Sequence, residues 1–206
     1  MIARDITSAI ESFAPLSVQE SWDNSGLIIG SPLQEVHGVL LGFDCTPELV
    51  DEAVECGADM IVTHHPLIFG GIRKISPDDP VGLAILKAAS AGIAVYAAHT
   101  SADKVLAGVS GAMARRLELR DIQILDEDPE GYGLGAVGDL PQPMEAVRFI
   151  EYVKSRFGLR VVRCSRLPEV PVDRVAMCGG SGGSLIENAR KAGAQAYLCG
   201  DISYHH

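Results

Sequence analysis

Residues 36–66 read VHGVLLGFDCTPELVDEAVECGADMIVTHHP, one complete strand–helix–strand cycle. Residues 36–43 form an apolar run that reads as a strand. Thr46 then offers an N-cap, and Pro47 falls at the first helical position, where its missing N–H costs nothing. The spacing predicts a helix over 47–56, ended by Gly57, and a second apolar strand over 59–63. A helix of that length between two strands makes them parallel neighbours in one sheet.

The same alternation continues outward. An amphipathic helix is predicted over 4–14, a helix over 80–91, a strand over 93–98, a helix over 105–117 and a short strand over 122–125. DEDPEGYG at 126–133 is acidic and turn-rich. It is the expected boundary between an N-terminal α/β half, 1–127, and a C-terminal half, 128–206. The second half reads as strand 133–138, helix 142–157, strands 159–164 and 172–178, helix 183–192 and strand 195–199. The expected fold is α/β, two related βαβ-rich subdomains with mixed sheets. Shifted by 136 positions, Val39–His65 overlays Val175–Asp201 without a gap, with Val39/Val175, Leu49/Leu185, Ala53/Ala189, Gly57/Gly193 and Ala58/Ala194 identical. Two halves on one plan place the ends of equivalent strands at a common cleft, with His64 and His65 over Gly200 and Asp201.

Composition narrows the classes of function. The chain has 206 residues and a formal charge of −10, from 17 basic and 27 acidic side chains, the wrong sign for gripping nucleic acid or acidic lipid through phosphates. Apolar residues at 47% and charged residues at 21% belong to a folded chain, and aromatics at 5% leave the core to Val, Leu, Ile and Ala. The N-terminus carries no apolar stretch behind a basic start, and no run is long enough to cross a membrane. The five cysteines are odd in number, widely spaced and without a CxxC, which suits buried thiols in a reduced cytoplasm.

Two strands end in residues that read either as metal ligands or as a polar surface turn. His64 and His65 follow the strand at 59–63, and two adjacent imidazoles cannot both be cationic cheaply, whereas a divalent metal takes the neutral ring. Strand 93–98 runs into Ala98-His99-Thr100-Ser101-Ala102-Asp103. The Asp103 carboxylate can bridge two cations or cap the following helix, and His99 beside it can hold a ligand by hydrogen bonding. Trp22, the only tryptophan, stands in a polar loop, where it either walls a substrate pocket or pins the first helix to the sheet. Gly179-Gly180-Ser181-Gly182-Gly183-Ser184 opens a helix and reads as a phosphate cradle or a tight turn.

WDNSGLIIG (22–30), GFDCTPELVDEA (42–53), THHPLIF (63–69), HTSAD (99–103), CGGSGGS (178–184) and GDISYHH (200–206) together resemble the Nif-three-like family, the GTP cyclohydrolase I type 2 homologues. The resemblance spans the chain. It implies paired α/β subdomains, a homohexameric ring and two divalent metal ions per subunit, zinc, manganese or iron. The residues that match its metal ligands are His64, His65 and Asp103, with Asp103 the implied bridge. The family adds a later Gly-His-x-x-x-Glu-like segment. No residues after His206 correspond to it, so the second half is expected to end incomplete, to expose apolar surface and to hold metal weakly. His205 and His206 fit the GDISYHH motif and are read as native. The implied activity is hydrolysis of a nucleotide or another phosphate-bearing small molecule by metal-activated water. The alternative is a non-enzymatic metal-handling protein or an interaction scaffold on the ring.

Overall fold

The computed structural model describes residues 1–205. Within it the chain divides into two compact units, Met1–Ala102 and Asp103 onward. In the first unit, α1 (Ala3–Glu11) and a 3-10 turn precede β1 (Gly26–Ile29), β2 (Val39–Gly42), α2 (Pro47–Cys56), β3 (Met60–Thr63), α3 (Pro80–Ala91) and β4 (Ala94–Ala97). The sheet order is β1-β4-β3-β2. β2, β3 and β4 run parallel, and β1 lies antiparallel on β4.

Local chemistry accounts for the helix limits. The Thr46 hydroxyl accepts the Leu49 N–H at 3.2 Å, Pro47 occupies the first turn, and Gly57 takes the left-handed conformation (φ 71°) that closes α2. Asp79 caps α3 in the same manner, accepting the Gly82 N–H at 2.8 Å. Alternation along the parallel strands then distributes the core. Ile61 and Val95 pack with Val50, Ala53, Ala84 and Ala88 from α2 and α3. Met60 and Tyr96 pack with Ala3, Ile6 and Ile10 from α1.

In the second unit, α5 (Val109–Arg116), β5 (Arg120–Glu127), β6 (Gly133–Met144), α6 (Ala146–Phe157), β7 (Val172–Ser181), a 3-10 turn (Gly183–Leu185), α7 (Ile186–Lys191) and β8 (Ala196–Asp201) follow. The short helix α4 (Thr100–Asp103) carries the chain across the division. The sheet order is β5-β6-β7-β8, antiparallel except for the parallel pair β7–β8. The mixed α/β architecture is as the sequence implies. Val39 pairs with Met60 and Val175 with Ala196, so the two βαβ units share one register at the spacing of the sequence overlay.

Several limits differ from those read in the sequence. The stretch 126–133 joins β5 to β6 as a hairpin connection inside the second unit, and the division falls after Ala102. Its turn chemistry is local: Asp128 Oδ1 accepts the N–H groups of Glu130 and Tyr132, both at 3.0 Å. Residues 159–164 form no strand, since α6 ends at Gly158 and the segment beyond joins no ladder. Arg160 and Arg163 interrupt its apolar pattern, and Pro168 and Pro171, which follow, lack the N–H a ladder needs. β1 was legible only as part of a polar loop, because four residues carry too short a pattern. All five cysteines are free thiols, with Cys45 and Cys178 buried but Cys56 and Cys164 exposed. Among the described residues no helix is long and apolar enough to cross a membrane.

Candidate metal centre

The parallel strands β2, β3 and β4 end side by side, which is where open α/β sheets place their sites. His64 and His65 leave the end of β3, His99 leaves the end of β4, and Asp44 follows β2. The ladder carries on past the strands: Ala98 N–H donates to Thr63 O at 2.9 Å and His65 N–H to Phe43 O at 3.0 Å. This continuation holds the three histidines level. Their ring centroids stand 5.1, 5.3 and 5.4 Å apart, a near-equilateral triangle. One nitrogen from each ring lies within 4.8 Å of the others, and among the described residues this is the one cluster of three or more side chains with metal-ligand geometry.

The second nitrogen of each ring decides what the cluster can do. His64 Nδ1 lies 3.0 Å from Ala98 O, His65 Nδ1 2.7 Å from Asp44 Oδ1, and His99 Nδ1 2.8 Å from Asp23 Oδ1. A carbonyl or carboxylate oxygen only accepts, so each Nδ1 carries the proton. In the neutral ring the lone pair then sits on Nε2, the tautomer a metal ligand needs. Three oriented imidazoles with two carboxylates behind them fit a divalent transition metal by the chemistry of the donor set alone.

Asp23 ties the WDNSG segment to this cluster. Because β1 is antiparallel to β4 and pairs Gly26 with Ala97, the residues before β1 arrive beside those after β4. The Asp23 side chain is fully enclosed. It accepts from the Thr100 N–H at 3.0 Å, the Ser25 hydroxyl at 2.8 Å and the Thr100 hydroxyl, as well as from His99. Burial by itself pushes its carboxyl up, but bonds from Thr100, His99, Ser25 and the Asn24 N–H outweigh that and bring it from 3.8 to about 2. A folded-state pKa below the unfolded value contributes stability that is complete above the unfolded pKa and lost as pH falls through the folded one. In the metal-free protein Asp23 is therefore expected to contribute about 1–2 kcal/mol, screening included, that disappears between about pH 4 and about pH 2. Denaturant titrations of wild type and Asp23→Asn across that range check it: the two should converge at the acid end, and a constant gap would contradict the assignment.

His99 was read in the sequence as a holding group beside Asp103, and the structure makes it the third ring of the cluster. The signal was present, since His99 ends an apolar strand just as His64 does. Asp103 is the last residue of α4 and the first of the second unit. There its charge, after burial, helps push the Cys178 thiol up to about 11. Trp22 is 57% exposed and lies against Phe69 at 5.7 Å and His99 at 5.9 Å between ring centroids, so it borders the cluster instead of pinning a helix. The glycine-rich segment ends β7 and enters the 3-10 turn, and it is tightly packed at Gly182. A Cβ at Gly182 would stand 2.9 Å from that of Cys199 and 3.0 Å from that of Cys178, and the Tyr197 hydroxyl donates to Gly182 O at 2.7 Å. His205 lies past the end of β8, and His206 is outside the described residues.

The Duf34/NIF3 (NGG1p interacting factor 3) family profile matches residues 1–206. A Clostridium acetobutylicum protein named GTP cyclohydrolase 1 type 2 homolog is 35% identical over 206 residues, covering 98% of this chain and 77% of that protein. A Streptomyces coelicolor protein of the same name is 37% identical, covering 98% of this chain and 73% of that one. The crystal structure of the Staphylococcus aureus hypothetical protein SA1388 superposes with a TM-score of 0.93 at 30% identity, over 100% of this chain and 80% of that chain. With the profile matched along its full length and relatives above 30% identity across nearly all of it, the chain belongs to the Duf34/NIF3 family.

Proposed function

We propose that the protein is a divalent-metal-dependent hydrolase acting on a nucleotide or another phosphate-bearing small molecule. The observation that carries this reading is the triangle of imidazoles whose Nδ1 atoms are all engaged by oxygen acceptors. His64, His65 and His99 would hold a divalent cation through the ring nitrogens left free by their Nδ1 hydrogen bonds. Asp103 matches a family ligand and would supply a carboxylate donor. The donor set suits zinc, manganese or iron. A bound divalent cation lowers the pKa of its water to about 7 and so supplies a nucleophile at neutral pH. The protein's own residues do the positioning. Asp44, Asp23 and the Ala98 carbonyl fix the tautomers, and Trp22 and Phe69 stand beside the His99 ring. The curated relatives' name points to GTP as the first substrate to try. The family resemblance adds a homohexameric assembly to the proposal, and the cysteine pattern adds a reduced cytoplasmic setting.

Metal analysis together with turnover of GTP and other nucleoside triphosphates, run beside His99→Ala and Asp103→Ala, tests the reading. Wild type should take up two metal equivalents, the second weakly, and hydrolyse at least one nucleotide. Asp103→Ala should keep at most one equivalent and lose turnover. Tight metal binding with no turnover of any nucleotide would sink the hydrolase and leave a metal-handling protein. Failure to bind metal would sink both.

A further inference from the structure

The end of the first sheet that carries the histidines carries a row of rings. Phe43 follows β2, His64 and His65 follow β3, His99 follows β4, and Trp22 precedes β1, which neighbours β4 and runs against it. Phe43 is already stacked on His64, at 25° and 5.5 Å between centroids. Trp22 and Phe69 make a pair of their own at the other end of the row. Their centroids are 5.7 Å apart, their planes are tilted by only 31°, and both stand steeply to the His99 ring, at 71° and 68°. They form a two-ring surface, 57% and 55% exposed, directly beside the imidazole cluster.

The fold holds this surface in place. Leu67 is buried and Ile68 packs on the same core, so Phe69 leaves a fixed segment. The Asn24 side-chain amide donates to the Ile68 carbonyl at 2.7 Å, which ties the loop of Trp22 to that segment. On the other side of Trp22, Asp23 is fastened to His99 and Thr100, and the Ser25 N–H donates to Gln19 Oε1 at 2.9 Å. Rings of this size ordinarily bury their surface in a core or against a partner. Here polar anchors keep two of them ordered and open, so little ordering cost is left for a flat group that covers them.

We propose that Trp22 and Phe69 are the stacking platform for a planar nitrogen heterocycle, the base of a nucleotide whose phosphate reaches toward the cation that His64, His65 and His99 would hold. This deepens the hydrolase reading and rests on it for the placing of the phosphate. Two physical arguments select this occupant. The formal charge of −10 opposes the approach of a polyanion, and stacking is a contact which that charge does not weaken. Every base also has a π-face, so the platform selects for the presence of a base and not for its identity. Adenine and guanine nucleotides are then taken alike, and phosphate esters without a base are held poorly.

Trp22 is the only tryptophan, so its emission reports on the platform alone. The test uses the whole chain, metal-free and zinc-loaded, excited at the red edge of the indole band where the bases do not absorb. The probes are AMP, GMP, ribose 5-phosphate and inorganic pyrophosphate. AMP and GMP should quench Trp22 in both forms, and ribose 5-phosphate and pyrophosphate should not. By calorimetry on the zinc-loaded form, AMP should bind about tenfold or more tighter than ribose 5-phosphate, which carries the same phosphorylated sugar. Trp22→Ala should remove that advantage, and Trp22→Phe should restore most of it. No quenching by AMP or GMP, or an undiminished advantage in Trp22→Ala, would overturn the proposal. Trp22 shielded from acrylamide in the ligand-free protein would make this face a contact between copies and overturn it as well. The probe comparison on wild type stands even if a variant fails to fold. Quenching by AMP in a protein that turns over no nucleotide would defeat the hydrolase reading alone, and turnover without quenching would defeat the platform alone.

Discussion

His99→Ala is expected to strip the protein of retained metal. It removes one of three nitrogen donors from a cluster whose ligand atoms all lie within 4.8 Å, and no other described group of three replaces it. Its effect should exceed that of Asp23→Asn, which keeps all three rings but weakens the acceptor behind His99, and such changes cost about 10–100-fold in metal affinity. The ordering is the informative part. Metal titration should rank wild type above Asp23→Asn, and Asp23→Asn above His99→Ala. If His99→Ala binds as tightly as wild type, the cluster is not the metal site, and the carried-over set of His64, His65 and Asp103 would have to act without it.

Tyr96→Ala should cause the largest loss of stability of any single truncation in the first unit. Tyr96 heads the fully buried side chains in size, sits in β4 at the middle of the sheet and packs on α1 through Ile6 and Ile10. Truncating a buried aromatic of this size costs about 3–5 kcal/mol. Tyr96→Phe keeps the ring and removes only the hydroxyl, which donates to Glu11 Oε1 at 3.2 Å, a loss of about 0.5–1.5 kcal/mol. Burial and the Glu11 charge both hold that hydroxyl well above its ordinary pKa, so it stays a neutral donor at any working pH. Denaturant midpoints of the two variants separate packing from hydrogen bonding. Equal losses would mean that the Glu11 contact, not the ring, secures α1.

The sequence by itself determined what local chemistry and periodicity carry. Thr46, Pro47 and Gly57 mark both ends of α2 because capping and backbone freedom act over a few residues. The alternation of strand and helix was enough for the α/β class, and THHPLIF with HTSAD pointed to metal chemistry at strand ends. Tertiary structure decided everything that depends on which strands are neighbours. The antiparallel placement of β1 on β4 brings Asp23 to His99 across 76 residues, a contact no spacing rule contains. The parallel alignment of β2, β3 and β4 turns His99 from a neighbour of Asp103 into the third ring beside His64 and His65. Residues 126–133 show the same limit: their turn chemistry is visible in sequence, but a hairpin and a boundary share it, and only strand pairing separates the two. The physical reason is common to all three. Caps, turns and amphipathic faces are set by energies between near neighbours in the chain, while strand order is set by long-range pairing and burial that no short window of sequence contains.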